Sequence, residues 1–88
     1  MRVQILTAAW CSSCQREQAI WERICARHGV TLEVVDLETP AGEAVAGRHH
    51  LKIMPAVLID DHPRAVGVQT EAEAEALLAA AERRRNDG

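Results

Sequence analysis

Val3-Gln4-Ile5-Leu6-Thr7-Ala8-Ala9-Trp10-Cys11-Ser12-Ser13-Cys14 decides how this chain is read. A short apolar run of strand character passes through small residues and one indole into two cysteines three positions apart. A long helical pattern begins there. The placement matters more than the spacing. A thiol at a helix start meets the positive end of the macrodipole and unpaired backbone N–H groups, and both favour the reactive thiolate.

Downstream of the pair, residues Ser12 to His28 read as a helix. Ile20 with Ile24, and Trp21 with Cys25, recur at the four-residue spacing of one buried stripe. Arg16, Glu17, Glu22, Arg23 and Arg27 are assigned to the solvent side, and Gly29 is a fitting C′ residue. Val30 to Leu37 reads as a second strand. Thr39-Pro40 has the form of an N-cap followed by proline at N1, opening a short helix to about Arg48 that Gly42 and Gly47 weaken.

Ile53-Met54-Pro55 interrupts any helix, because a residue before proline is pushed out of the α region. Ala56 to Ile59 is a third strand. Asp60-Asp61 supplies turn chemistry, and Arg64 to Gly67 returns as a fourth strand. Pro63 lacks an N–H, so that strand belongs at a sheet edge. Thr70 and Glu73 form a capping box for a last helix carrying Ala72, Leu77, Leu78 and Ala81 and ending near Arg85. Residues 86–88 are expected to fray, leaving one domain over 1–85.

The order is β-α-β-(α)-β-β-α. A right-handed crossover makes the first two strands parallel, and the tight turn makes the last two antiparallel. The fold class is therefore α/β: a four-stranded mixed β-sheet flanked by helices.

With 88 residues and a formal net charge of −3, the chain forms a single domain with neither a basic patch nor an acidic block. No nucleic-acid or membrane partner is expected, and a monomer is. Arg83-Arg84-Arg85 complements the dipole at a helix end. Met1-Arg2 leads straight into the first strand without the pattern of a signal peptide, and no run approaches the roughly 18 apolar residues of a membrane span. The expected compartment is cytoplasmic, where cysteine pairs tend to be redox-active or metal-binding. Three cysteines also fit a disulfide framework poorly.

Cys11 is expected at the N-cap or in the first turn, with Cys14 nearly one turn deeper. A Cys11 thiolate can attack an external disulfide, and Cys14 can resolve the mixed disulfide, leaving a Cys11–Cys14 bond. Ser12 and Ser13 add hydroxyls and no cation, which points to a reducing or intermediate couple. A zinc site would need more ligands. His28, His49, His50, His62 and Cys25 are the candidates, but His49-His50 lack the usual ligand gap. Surface histidines are the simpler reading, with His50 suited to a left-handed C′ position. Cys25 reads as a small buried apolar residue, Trp10 as a lid beside the pair, and Trp21 as packing against the sheet.

Three separated stretches carry a family likeness: Trp10-Cys11-Ser12-Ser13-Cys14 between strand and helix, Leu51 to Ile59 around Pro55, and Val66-Gly67-Val68-Gln69-Thr70 before the last helix. Together with the element order they make the chain resemble the thioredoxin/glutaredoxin superfamily, especially small thioredoxin-like proteins of glutaredoxin size. The resemblance implies a thioredoxin-like fold and a thiol–disulfide oxidoreductase with Cys11 and Cys14 as catalytic residues. It implies a cis Met54–Pro55 bond facing the pair, and substrate binding by Trp10, Ser12, Ser13, Met54, Pro55 and Gly67. It implies no cofactor beyond the redox-active Cys11–Cys14 disulfide. Partners would be protein disulfides, with a flavin-dependent disulfide reductase or glutathione as electron donor.

The chain also departs from the family pattern. Ser12-Ser13 stands where thioredoxins have Gly-Pro and many glutaredoxins Pro-Tyr. Ile5 stands where thioredoxins bury an acid. The segment before the last helix has one glycine, Gly67, rather than the Gly-Gly-acidic signature of glutathione binders. Glutaredoxin-like reduction of glutathione mixed disulfides, a metal- or cluster-carrying module using Cys11 and Cys14, and a binding module with incidental thiols stand as alternatives.

Overall fold

A central strand of a sheet that carries helices on both faces has side chains buried on both sides, and it reads as mostly apolar. That is the situation of β1 (Val3–Thr7) and β3 (Ala56–Ile59) in the computed structural model, which describes residues 1–87. The sheet order is β2-β1-β3-β4, with β2 (Leu32–Asp36) and β4 (His62–Val66) at the edges. β1 runs parallel to β2 and antiparallel to β3, and β3 is antiparallel to β4. Pro63 sits in edge strand β4, next to an irregularity in the ladder at Val57 and Leu58. Asp60 and Asp61 both take positive φ, 50° and 66°, and close the hairpin as aspartates tolerate.

Side chains alternate across the sheet and build two cores. On one face Val3, Ile5, Val57 and Ile59 meet Trp21, Ile24 and Cys25 of α1 (Cys14–Arg27) and Ala74, Leu78 and Ala81 of α3 (Glu71–Asp87). Fully burying a side chain such as Ile24 or Leu78 contributes roughly 1.5–3 kcal/mol. On the other face Leu6, Ala56 and Leu58 meet Val45 and Ala46 of α2 (Pro40–His49), together with Ala8, Cys14 and Met54.

Local chemistry sets the helix ends. Thr39 is the N-cap of α2, its Oγ1 accepting from the Gly42 N–H at 3.1 Å, with Pro40 following it. Gly42 is required rather than weakening, since a Cβ there would run into the Asp36 carbonyl. His50 closes α2 in the left-handed region at φ 55°. Thr70 and Glu73 exchange both bonds of the capping box, at 2.9 and 3.1 Å, and the Thr70 backbone N–H that donates to Glu73 Oε1 is the first cause holding that carboxyl below its usual range.

Several boundaries differ from the sequence reading. α1 begins at Cys14 with Ser13 as N-cap, so Cys11 lies two residues outside the helix rather than at its cap or first turn. The buried stripe of α1 is Cys14, Glu17, Trp21, Ile24 and Cys25, and Glu17 is 0% exposed instead of facing water. β2 is shorter than Val30–Leu37, and its Val34 is exposed on this edge strand, which has no further strand beside it among the described residues. β4 begins at His62. In α3 the i, i+4, i+7 stripe falls on Ala74, Leu78 and Ala81, leaving Ala72 exposed. The same helix continues through Asn86 and Asp87, beyond the end near Arg85 that the sequence suggests; Gly88 of the tail lies outside the described residues.

Candidate active site

The turn after β1 presents the cysteine pair. Cys11 N–H donates to the Ala8 carbonyl at 3.0 Å, and Cys14 N–H to the Cys11 carbonyl at 3.4 Å, which folds residues 11–14 into a tight loop before α1 proceeds. Cys11 and Cys14 form a disulfide with a Cα–Cα distance of 5.5 Å. Their environments differ. Cys14 is 4% exposed and packs in the core face with Leu6, Ala8 and Met54, whereas Cys11 is only partly covered. An attacking sulfur at the surface and a resolving sulfur beneath it is the asymmetry that dithiol exchange needs.

Ser13 makes no side-chain cap to α1. Its hydroxyl lies 3.6 Å from Cys11 Sγ, and Ser12 is exposed in the same turn. Trp10, 64% exposed, stands directly before Cys11 and outside the core. Beside the pair lies an open cleft of about 390 Å³, lined among others by Thr7, Cys11, Cys14, Gln15, Gln18 and Asp36, with no lysine or arginine. A larger cavity, about 810 Å³, is at the opposite end of β1 and α1, between Arg2, His28, Glu33 and Glu82. No cysteine lines it, so cavity size does not locate the chemistry here.

Sequence-distant pieces converge on the dithiol. Met54 and Cys14 share one core face, and the Met54–Pro55 peptide bond is cis. Gly67 N–H donates to the Pro55 carbonyl at 2.8 Å, with Gly67 at φ +77°, a conformation glycine adopts freely. Ile53, Val66 and Val68 are exposed apolar residues flanking Met54 and Gly67.

Two buried polar residues in this region are absent from the sequence reading of the site. Glu17 Oε1 accepts the Gln69 backbone N–H at 2.7 Å, and Gln69 Oε1 accepts Trp21 Nε1–H at 3.4 Å. Placing positions 14, 17, 21 and 24 on one helix face would have found Glu17, since these spacings of three and four repeat the buried stripe.

The remaining candidates lie elsewhere. Cys25 is a free thiol in the core, and burial pushes its pKa up to about 11, which keeps it protonated and inert. His28 is no solvated surface residue. It sits 15% exposed between Glu75 and Glu82, at 2.5 and 2.6 Å. His49 reaches Asp61 at 3.3 Å. Among the described residues no three histidine, cysteine or acidic side chains stand together as a metal ligand set.

A mixed sheet in the order β2-β1-β3-β4, with a Cys-x-x-Cys disulfide at the start of its first helix, defines a thioredoxin-like domain and supports thiol–disulfide oxidoreductase chemistry in general. The sequence agrees with the geometry. The family model described as Thioredoxin domain matches residues 1–79, and the chain belongs to that family. Thioredoxin 1 from the thermophilic eubacterium Thermosipho africanus TCF52B superposes with a TM-score of 0.72 at 14% identity, over 98% of this chain and 99% of that one. Thioredoxin O2 from Arabidopsis thaliana, in its oxidized state, gives 0.66 at 22% identity over 93% of this chain and 72% of that one. A structure described as a malarial protein gives 0.70 at 21% identity, over 89% and 92% of the two chains. At these identities the structures speak for the fold alone. No curated protein matches the chain at a significant level.

Proposed function

We propose that this protein is a cytosolic, monomeric thiol–disulfide oxidoreductase that reduces disulfides in protein substrates. The observation that carries the proposal is the pairing of a partly exposed Cys11 sulfur with a buried Cys14 sulfur in one disulfide loop. In the reduced form the Cys11 thiolate attacks one substrate sulfur. The substrate S–S bond breaks, and its electron pair leaves on the second sulfur, which takes a proton. Cys14 then loses its proton and attacks Cys11 Sγ. The mixed disulfide breaks, the first substrate sulfur leaves and is protonated, and Cys11–Cys14 is oxidised while the substrate gains two electrons and two protons. A flavin-dependent disulfide reductase or glutathione returns the two electrons. No further cofactor enters the cycle.

An extended substrate segment would pair with the Met54 backbone as an added strand, beside Pro55 and Gly67. The Met54 side chain is buried and contributes nothing to that contact directly. Trp10, Ser12 and Ser13 would line the other side of the bound segment. The cleft beside the pair holds Asp36 and no lysine or arginine, so the carboxylates of glutathione would meet no counter-charge there. That favours protein disulfides over glutathione mixed disulfides. With Ile5 in place of a buried acid, the Cys14 proton is expected to leave through water in the cleft. The uncharged Ser12-Ser13 link favours a reducing or intermediate couple, which a redox-buffer titration measures.

Trapping tests the proposal. A Cys14→Ser variant should accumulate mixed disulfides on Cys11 that name the substrates, and the unmodified protein should reduce insulin disulfides. Absence of both results would overturn the reading. A Cys14→Ser protein that still turns over glutathione mixed disulfides at full rate would move it to the glutaredoxin-like alternative, and metal in protein purified under reducing conditions to the cluster-carrying one.

A further inference from the structure

Glu17 is the least expected residue in the molecule. It is fully buried in α1, its Oε2 has no hydrogen-bond partner among the described residues, and it shares the buried stripe of that helix with the apolar core residues Trp21 and Ile24. A carboxyl kept in such a place costs stability unless its bonds do something an apolar side chain cannot. The bond it makes is specific. Oε1 accepts the buried backbone N–H of Gln69, at 2.7 Å, in the segment between β4 and α3.

That segment is held from two points on α1. Gln69 Oε1 accepts from Trp21, one turn beyond Glu17, while Gln69 Nε2 folds back to the Val66 and Gly67 carbonyls at 3.3 and 3.1 Å. Gly67 in turn donates its N–H to the Pro55 carbonyl. A continuous run of hydrogen bonds therefore joins α1, one turn past Cys14, to the Met54–Pro55 segment. The cysteine sulfurs and the backbone that would hold substrate come from opposite sides of the site, and this run of bonds links the two sides.

We propose that Glu17, through Gln69, is a positioning residue that fixes the Gly67–Pro55 edge relative to the dithiol, so that an extended protein substrate is aligned on Cys11. The proposal rests on the protein-disulfide reading above. Its signature is a split between substrates. A small disulfide needs only the sulfurs, whereas a protein disulfide also needs the edge.

The test compares insulin disulfides with dithiobis-nitrobenzoate for Glu17→Leu, Glu17→Gln and Gln69→Ala, each checked for folding by circular dichroism. Glu17→Leu removes the acceptor and should raise KM for insulin at least fivefold, with the small-disulfide rate within twofold of the unmodified protein. Glu17→Gln keeps an acceptor oxygen at Oε1 and should restore the insulin KM to within twofold. Gln69→Ala should reproduce the Glu17→Leu split. An unchanged insulin KM in folded Glu17→Leu overturns the proposal. So does equal loss on both substrates, or a Glu17→Gln protein as impaired as Glu17→Leu, since each would give the carboxyl a different role.

Should the leucine variant not fold, amide hydrogen exchange of the unmodified protein decides. The Gln69 and Gly67 amides should exchange together through one opening, and independent exchange overturns the link. Because this measurement needs no turnover, it remains informative even if the unmodified protein reduces neither disulfide, a result that would sink the functional reading instead.

Discussion

The two ends of α1 solve opposite problems. At its start, Cys11, Ser12 and Cys14 border a cleft lined by Asp36 and no lysine or arginine, with Trp10 and Ile53 exposed nearby. At its end, Arg27 and His28 meet Glu71, Glu75 and Glu82 of α3 in a cluster of charges. Charge pairs fix geometry at the far end. At the near end, fixed cations would compete for the thiolate and pull the couple toward the oxidant side. The fold separates the two demands by the length of one helix, and holds the near end by neutral backbone bonds and one buried carboxyl.

The comparison breaks most sharply at the sulfurs. Cys11→Ser and Cys14→Ser should each bring multiple-turnover insulin reduction down to background. Their stabilities should differ. Cys11 is partly exposed, so its loss should shift the reduced protein's unfolding free energy by under about 0.5 kcal/mol. A serine at buried Cys14 places a hydroxyl among Leu6, Ala8 and Met54 and should cost roughly 1–3 kcal/mol. Urea denaturation of the reduced proteins measures this, and equal costs would contradict the exposed-and-buried assignment.

Much of this was legible in the sequence, and the reasons are local. The capping box at Thr70 and Glu73, the Thr39-Pro40 start, the Asp60-Asp61 turn and the Pro63 edge strand are chemistry written within four residues, and the structure realises each. The left-handed His50 was readable for the same reason. What escaped depends on contacts distant in sequence. The sequence alone puts Glu17 in solvent, because a charged residue on a helix is usually exposed and its partner Gln69 lies 52 positions away. His28 was treated as a surface residue because Glu75 and Glu82 arrive only when α3 packs on α1. Gly42 counted against a helix because propensity alone cannot see the Asp36 carbonyl that forbids a side chain there. Cys11 lies two residues before the N-cap instead of at it, since the Cys11–Cys14 turn delays the helix to Cys14.

The far end offers the next largest effect. His28 has its pKa raised above 6.5, first by the hydrogen bond to Glu75, then by Glu82, against the opposing effect of burial. Because the folded pKa lies above the unfolded one, the stabilisation from the charged imidazole is complete below about pH 6.5 and is lost as pH rises through the folded value. A neutral ring has one N–H, so one of its two carboxylates then faces a lone pair. His28→Gln should cost about 1 kcal/mol at pH 6, a modest figure because Glu75 and Glu82 are partly solvated, and less at pH 9. Insulin reduction should stay unchanged, since the dithiol lies at the other end of α1. A cost that grew with pH would reverse the assignment of the proton.

The smallest effect sharpens what kind of interaction holds that end. Arg27 pairs with Glu71 and, at 3.6 Å, with Glu75, but its side chain is 53% exposed. Exposed pairs gain little and are screened, so Arg27→Ala should cost no more than about 0.5 kcal/mol and should cost less still in 1 M salt. The His28 contribution is better shielded and should survive the same salt more fully. If both variants respond equally to salt, the far end is a diffuse cloud of surface charge. If they part, the packed imidazole is the element that fixes α3 on α1, and the flanking arginine contributes mainly to the charge around it.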